Sequence, residues 1–99
     1  MPSALSPGSK NMAPYKVLFD QDVERDFRKI PQQYARRIIK SILILANTPR
    51  PPQCTKIEGT HSTYRLRVGD YRAIYQVDDK NRIVTIYRVR HRKDVYRSM

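Results

Sequence analysis

The sequence predicts an α+β domain: a small antiparallel β-sheet with a helical hairpin packed on one face, in the order β-α-α-β-β-β. Three observations predict it. Apolar residues recur at helical spacing between Val23 and Leu45, β-rich runs begin after Pro52, and the last three of those runs are joined by the short turn signals Gly69-Asp70 and Asp78-Asp79-Lys80-Asn81. With 99 residues, 39% of them hydrophobic, the chain has material for one small core and no second domain.

Residues 1–14 are Pro-, Ser- and Gly-rich and read as a flexible tail, or as an extension ahead of a start at Met12; residues 15–99 form the domain. Tyr15 to Phe19 has the β-branched and aromatic content of a short strand, which Asp20 ends. Asp20 or Asp22 caps a first helix whose apolar positions Val23, Phe27 and Ile30 share one face. Pro31 suits the first position of a second helix, and its stripe Tyr34, Ile38, Ile42, Leu45 runs until Asn47-Thr48-Pro49. Arg36, Arg37 and Lys40 fall on the opposite, solvated face. Arg50-Pro51-Pro52-Gln53 is expected to be an extended connector. Thr63–Val68, Tyr71–Val77 and Arg82–Arg90 then form a meander, joined in one sheet by the first strand.

Charge narrows the function. Twenty Lys and Arg against nine Asp and Glu give a formal net charge of +11, which attracts polyanions: nucleic acid, an anionic surface or an acidic protein. One cysteine, Cys54, permits no internal disulfide and fits a reducing, cytoplasmic setting; with two histidines it cannot complete a four-ligand zinc site, so no metal cofactor is expected. The longest apolar run, Ile38 to Ala46, is interrupted by Lys40 and Ser41 and falls far short of a membrane span.

A two-residue Gly69-Asp70 loop fixes the register of the hairpin around it: Val68 opposite Tyr71, Arg67 opposite Arg72, Leu66 opposite Ala73, Arg65 opposite Ile74. Tyr64, Leu66, Val68, Tyr71, Ala73, Tyr75 and Val77 then share the face that meets the helices, while Arg65, Arg67 and Arg72 crowd the other. Like charges directly opposite one another are destabilising, and an anion relieves the cost, so the three arginines read as a phosphate platform. The segment Arg88 to Arg97 adds five lysines and arginines together with His91, Asp94 and Tyr96, and its Val95-Tyr96 pair argues for packing back over the sheet, beside the platform. His61 reads as a surface histidine, Cys54 as a small, partly buried side chain and Asp94 as a partner for neighbouring arginines.

Tyr64-Arg65-Leu66-Arg67-Val68-Gly69-Asp70-Tyr71-Arg72-Ala73-Ile74-Tyr75, followed by Val89-Arg90-His91-Arg92-Lys93-Asp94-Val95-Tyr96, resembles the RelE/ParE toxin superfamily, and its RelE branch best. The resemblance spans roughly residues 15–96. It implies a toxin of a type II toxin–antitoxin system that cuts mRNA in the ribosomal A site without a metal or cofactor and is inhibited by an acidic antitoxin. It implies attack of a 2′-OH on the adjacent phosphate, leaving a 2′,3′-cyclic phosphate and a 5′-OH. By the same resemblance Arg65, Arg67, Arg72 and Arg92 match phosphate-contacting or basic positions, Arg90 adds to the RNA-binding charge, and Tyr96 matches the C-terminal tyrosine. The RelE branch carries lysines where this chain has Arg65 and Arg67. Lysine can lose its proton and arginine effectively cannot, so the arginines suit charge stabilisation and proton transfer falls to His91, whose imidazole titrates nearest neutrality, or to Tyr96. Two other readings of the same fold are a ParE-like inhibitor of DNA gyrase and a non-catalytic RNA-binding relative.

Overall fold

The computed structural model describes residues 14–94. The elements follow as β1 (Lys16–Phe19), α1 (Gln21–Arg28), α2 (Gln32–Ile44), β2 (Cys54–Lys56), β3 (Thr63–Val68), β4 (Tyr71–Asp78) and β5 (Ile83–His91). The anticipated order is present, with one strand added: β2, a three-residue strand that pairs antiparallel with β3. The sheet order is β1-β5-β4-β3-β2. The β3-β4-β5 meander is antiparallel, and β1 joins β5 in parallel, Lys16 opposite Ile83 through Phe19 opposite Ile86. The helical hairpin carries the chain from the β1 edge of the sheet to the β2 edge.

Asp20 precedes α1 in an extended conformation and accepts the Val23 amide through its carbonyl at 3.0 Å, without a side-chain cap. Pro31 stands at the cap of α2, one position before the first helical residue, and its carbonyl accepts the amides of Tyr34 and Ala35 at 3.0 Å each. The core joins Val23 of α1 and Ile38, Ile42 and Leu45 of the second helix and its cap to alternate residues of the sheet: Leu66, Val68, Ala73, Tyr75, Val77, Val84, Ile86 and Val89. That alternation is the one expected of a sheet covered on one face. Tyr34, the first member of the anticipated α2 stripe, lies outside this core and remains 39% exposed. None of the described helices is long and apolar enough to cross a membrane.

Two polar clusters hold the periphery. The connector between α2 and β2 is not extended throughout; it turns at Pro51, whose carbonyl accepts the Cys54 amide at 3.0 Å. It is tied down by Arg50, which donates to Asp79 (Nη2 to Oδ2, 2.6 Å) and to the Tyr64 hydroxyl (2.8 Å), while Tyr15 donates to Asp79 at 2.5 Å. Buried Tyr75 donates its hydroxyl to the Pro49 carbonyl at 2.7 Å, and burial, with Cys54 beside it, pushes its phenol pKa up.

The second cluster sits where β1 has ended and leaves the outer edge of β5 uncovered. There Asp26 of α1, only 5% exposed, accepts Arg88 Nε at 3.0 Å, Arg88 Nη2 at 2.9 Å and the Val89 amide at 2.9 Å. Burial alone would raise the Asp26 carboxyl pKa, but Arg88 and the Val89 N–H outweigh it and hold the group below its ordinary value. The ladder shifts by one residue beside this pair: Tyr75 faces Ile86 and Ile74 faces Arg88, so Tyr87 is passed over in the pairing of the two strands. This is a β-bulge, and it reverses which face each later residue of β5 occupies.

Candidate functional site

The β3-β4 hairpin closes as the sequence dictates. Gly69 takes φ +60° at the first turn position, where a two-residue hairpin loop favours glycine, and Val68-Tyr71, Arg67-Arg72, Leu66-Ala73 and Arg65-Ile74 are all cross-strand partners. Leu66, Val68, Ala73, Tyr75 and Val77 are buried under the helices. Arg65, Arg67 and Arg72 therefore come together on the open face, around a concavity of about 310 Å³ completed by Pro52, Gln53 and Thr55. The unanticipated strand β2 builds the far wall: Thr55 pairs with Arg65, and the Gln53 carbonyl accepts the Arg67 amide at 3.1 Å. Register extends the row one strand further, since Arg72 also faces Arg90 of β5.

Arg72 is oriented by the turn it follows. Its Nη1 donates to the carbonyls of Gly69 and Tyr71, both at 2.9 Å, which uses both hydrogens of that nitrogen and leaves the Nε and Nη2 hydrogens for an anion. Arg92 reaches the same turn from beyond β5, with its amide 2.7 Å from the Asp70 carbonyl and its Nε 3.8 Å from Asp70 Oδ1. Two arginines from different segments thus flank one hairpin tip.

His91 is placed differently from Arg72. It faces Tyr71 across the β4-β5 ladder, on the helix-covered face of the sheet, and packs edge-on to the Tyr71 ring at 5.4 Å. Its Nδ1 accepts the Lys93 amide at 3.3 Å, so the neutral ring carries its proton on Nε2. His91 borders the hairpin tip but does not line the arginine concavity. Tyr96 lies outside the described residues. His61 is exposed in the loop before β3, and Cys54 is half-buried at the start of β2.

The pairing of buried Asp26 with Arg88 escaped sequence reasoning. Its one signal was a carboxylate three residues after Val23, on the stripe that α1 turns to the core. Gln53 and Thr55 gave no signal, because their place depends on pairing with a strand ten residues further on.

A family model described as the ParE toxin of type II toxin–antitoxin systems (parDE) matches residues 17–96. Toxin RelG of Mycobacterium tuberculosis is 34% identical over 88 residues, covering 85% of this chain and 98% of the relative. Toxin RelE3 of Methanocaldococcus jannaschii is 33% identical over 85 residues, covering 82% and 94%. Among solved structures, the archaeal RelE-RelB complex of Pyrococcus horikoshii superposes with a TM-score of 0.71 at 32% identity, covering 82% of this chain and 97% of that one.

Proposed function

The chain belongs to the RelE/ParE family of type II toxin–antitoxin toxins, and from that membership we propose that it is a RelE-like, ribosome-dependent mRNA endonuclease. The observation that carries the proposal is the open-face arginine concavity, lined by Arg65, Arg67 and Arg72 and adjoining a hairpin tip that Arg92 also reaches. A row of like charges is a cost to folding and an asset to phosphate binding.

The reaction is metal-independent attack of a ribose 2′-oxygen on the adjacent phosphorus. The 2′-O–P bond forms, the P–O5′ bond breaks, one proton leaves the 2′-OH and one is delivered to the departing 5′-oxygen, giving a 2′,3′-cyclic phosphate and a 5′-OH. Arg65, Arg67, Arg72 and Arg92 bind the phosphate and neutralise the charge that develops on its equatorial oxygens, with Arg90 extending the basic row. Arg72 arrives pre-oriented, so its remaining donors need little reorganisation. His91 and Tyr96 are the proton-transfer candidates. For His91 to take a proton at Nε2, its Nδ1 must first surrender the 3.3 Å contact from Lys93. The partners are mRNA and rRNA in the A site and a cognate antitoxin in the cytoplasm. A net charge of +11 favours an acidic antitoxin, and solved relatives include RelE-RelB complexes.

The match to the ParE model supports the second reading, inhibition of DNA gyrase. One experiment separates the two: purified protein with programmed ribosomes, mapping new 5′ ends and testing 3′ ends for cyclic phosphate, beside a gyrase supercoiling assay. A-site cuts bearing cyclic phosphate are expected. Intact mRNA with blocked supercoiling would transfer the chain to the gyrase reading.

A further inference from the structure

On the helix-covered side of the hairpin tip lies a second, chemically different concavity. It measures about 280 Å³ and opens between the start of α2 and the β3-β4 turn. Its walls are aromatic: the Tyr34 and Tyr71 rings lie 5.8 Å apart, tilted by 35°, and His91 meets Tyr71 at 5.4 Å. Arg37 and Asp70 complete the lining, with the Arg37 guanidinium beside Gly69. Tyr34 is a large aromatic held 39% exposed at this mouth rather than in the core.

We propose that this cleft receives an unpaired RNA nucleobase, next to a phosphate held by the arginines of the hairpin tip. The inference rests on the RNA-cutting function proposed above and extends it to a base-binding site. A flat base is large enough to use the available volume and has faces that match tyrosine and imidazole rings; sequence-tolerant stacking on such rings is a common means of holding single-stranded RNA. Asp70 at the rim accepts hydrogen bonds from base N–H groups, and Arg37 meets the neighbouring backbone. The placement follows from strand geometry. Tyr71 and Arg72 are consecutive, so their side chains leave opposite faces of β4, and a strand of RNA crossing the tip presents a phosphate to one face and a base to the other.

The chain has no tryptophan, so Tyr34→Trp introduces a single indole reporter at the mouth. The probe is a short single-stranded 2′-O-methyl RNA, which resists cleavage, used intact and with abasic residues in place of its central nucleotides. Intact RNA is expected to quench the indole emission of this variant, and abasic RNA to bind without quenching. In the otherwise native chain, Tyr34→Ala should weaken intact RNA about tenfold, and abasic RNA hardly at all, with Tyr34→Phe restoring affinity. If intact and abasic RNA bind alike with the indole emission unchanged, while Arg72→Ala still weakens both, the base site is refuted and the phosphate platform stands. If Arg72→Ala also leaves RNA binding unchanged, the nuclease reading fails with it. Quenching by an acidic peptide but not by RNA would refute the base site and mark a protein-docking cleft.

Discussion

Replacing Arg67 with glutamine should stabilise the fold while impairing the reaction. Arg67 faces Arg72 across the ladder, and Arg72 in turn faces Arg90. For two cationic groups about 6 Å apart in water, Coulomb's law gives about 0.7 kcal/mol of repulsion, within the cross-strand range of roughly 0.2–1 kcal/mol. Glutamine keeps the stem and a polar tip, and Arg67 is exposed, so little packing is lost. In a domain of this size, about 0.5–1 kcal/mol raises Tm by about 2–8 °C at low ionic strength. In about 1 M KCl, where the Debye length is about 3 Å, the gain should vanish. Inorganic phosphate should raise the parent Tm more than the variant's, since a ligand stabilises the form that binds it. Cleavage on programmed ribosomes should fall about 10–100-fold, below the cost of a full oxyanion donor because neighbouring arginines remain. Scanning calorimetry at two salt concentrations, with single-turnover cleavage, makes the test. A loss of stability, or a gain that persists in high salt, would refute the charge-crowding argument; a stabilised variant with full cleavage would refute the platform.

Other perturbations separate roles. Asp26→Asn removes the carboxylate that Arg88 and Val89 share; a fully buried broken pair costs about 3–5 kcal/mol, and because Arg88 is 35% exposed and can regain water, about 2–3 kcal/mol is expected in urea titrations. The folded Asp26 pKa lies below its unfolded value, so its contribution is complete above the unfolded pKa of about 3.9 and is lost as pH falls through the folded pKa; acid denaturation of the parent should be steeper than that of Asp26→Asn. His91→Ala should lower the single-turnover cleavage rate by about 10²-fold or more while changing ribosome affinity far less; equal losses in both would remove it from proton transfer. Arg50→Ala breaks an exposed clasp remote from the hairpin tip and should cost at most about 1 kcal/mol in Tm-derived stability, with cleavage unchanged.

The hairpin was legible because a two-residue Gly-Asp loop determines parity locally: once Val68 faces Tyr71, every later pair and face follows. The helical stripe was legible from Ile38 onward, since burial and spacing agree there, but Tyr34 lies at the start of α2, beyond the core, and packs on Tyr71 instead. Strand β2 was not legible. Three residues after two prolines show no period, and Cys54–Lys56 is a strand only because β3 offers it an edge. Nor could spacing show β1 running parallel to β5, a pairing between residues more than sixty positions apart.

The placement of His91 turns on a single residue. Val84 and Ile86 point into the core, and unbroken alternation would turn Arg88 and Arg90 inward after them and send His91 to the arginine face. The bulge at Tyr87 inverts that order: Val89 is buried, Arg90 joins the row of Arg72, and His91 crosses to the aromatic side. Only the uncovered edge of β5 leaves the Val89 N–H available, and Asp26 accepts it while binding Arg88 on the residue before. The buried carboxylate therefore holds the shifted register as well as contributing stability. Through that register α1 determines which side chains of β5 join the arginine row and which line the aromatic cleft, so a substitution at Asp26 should act on the hairpin tip without touching it.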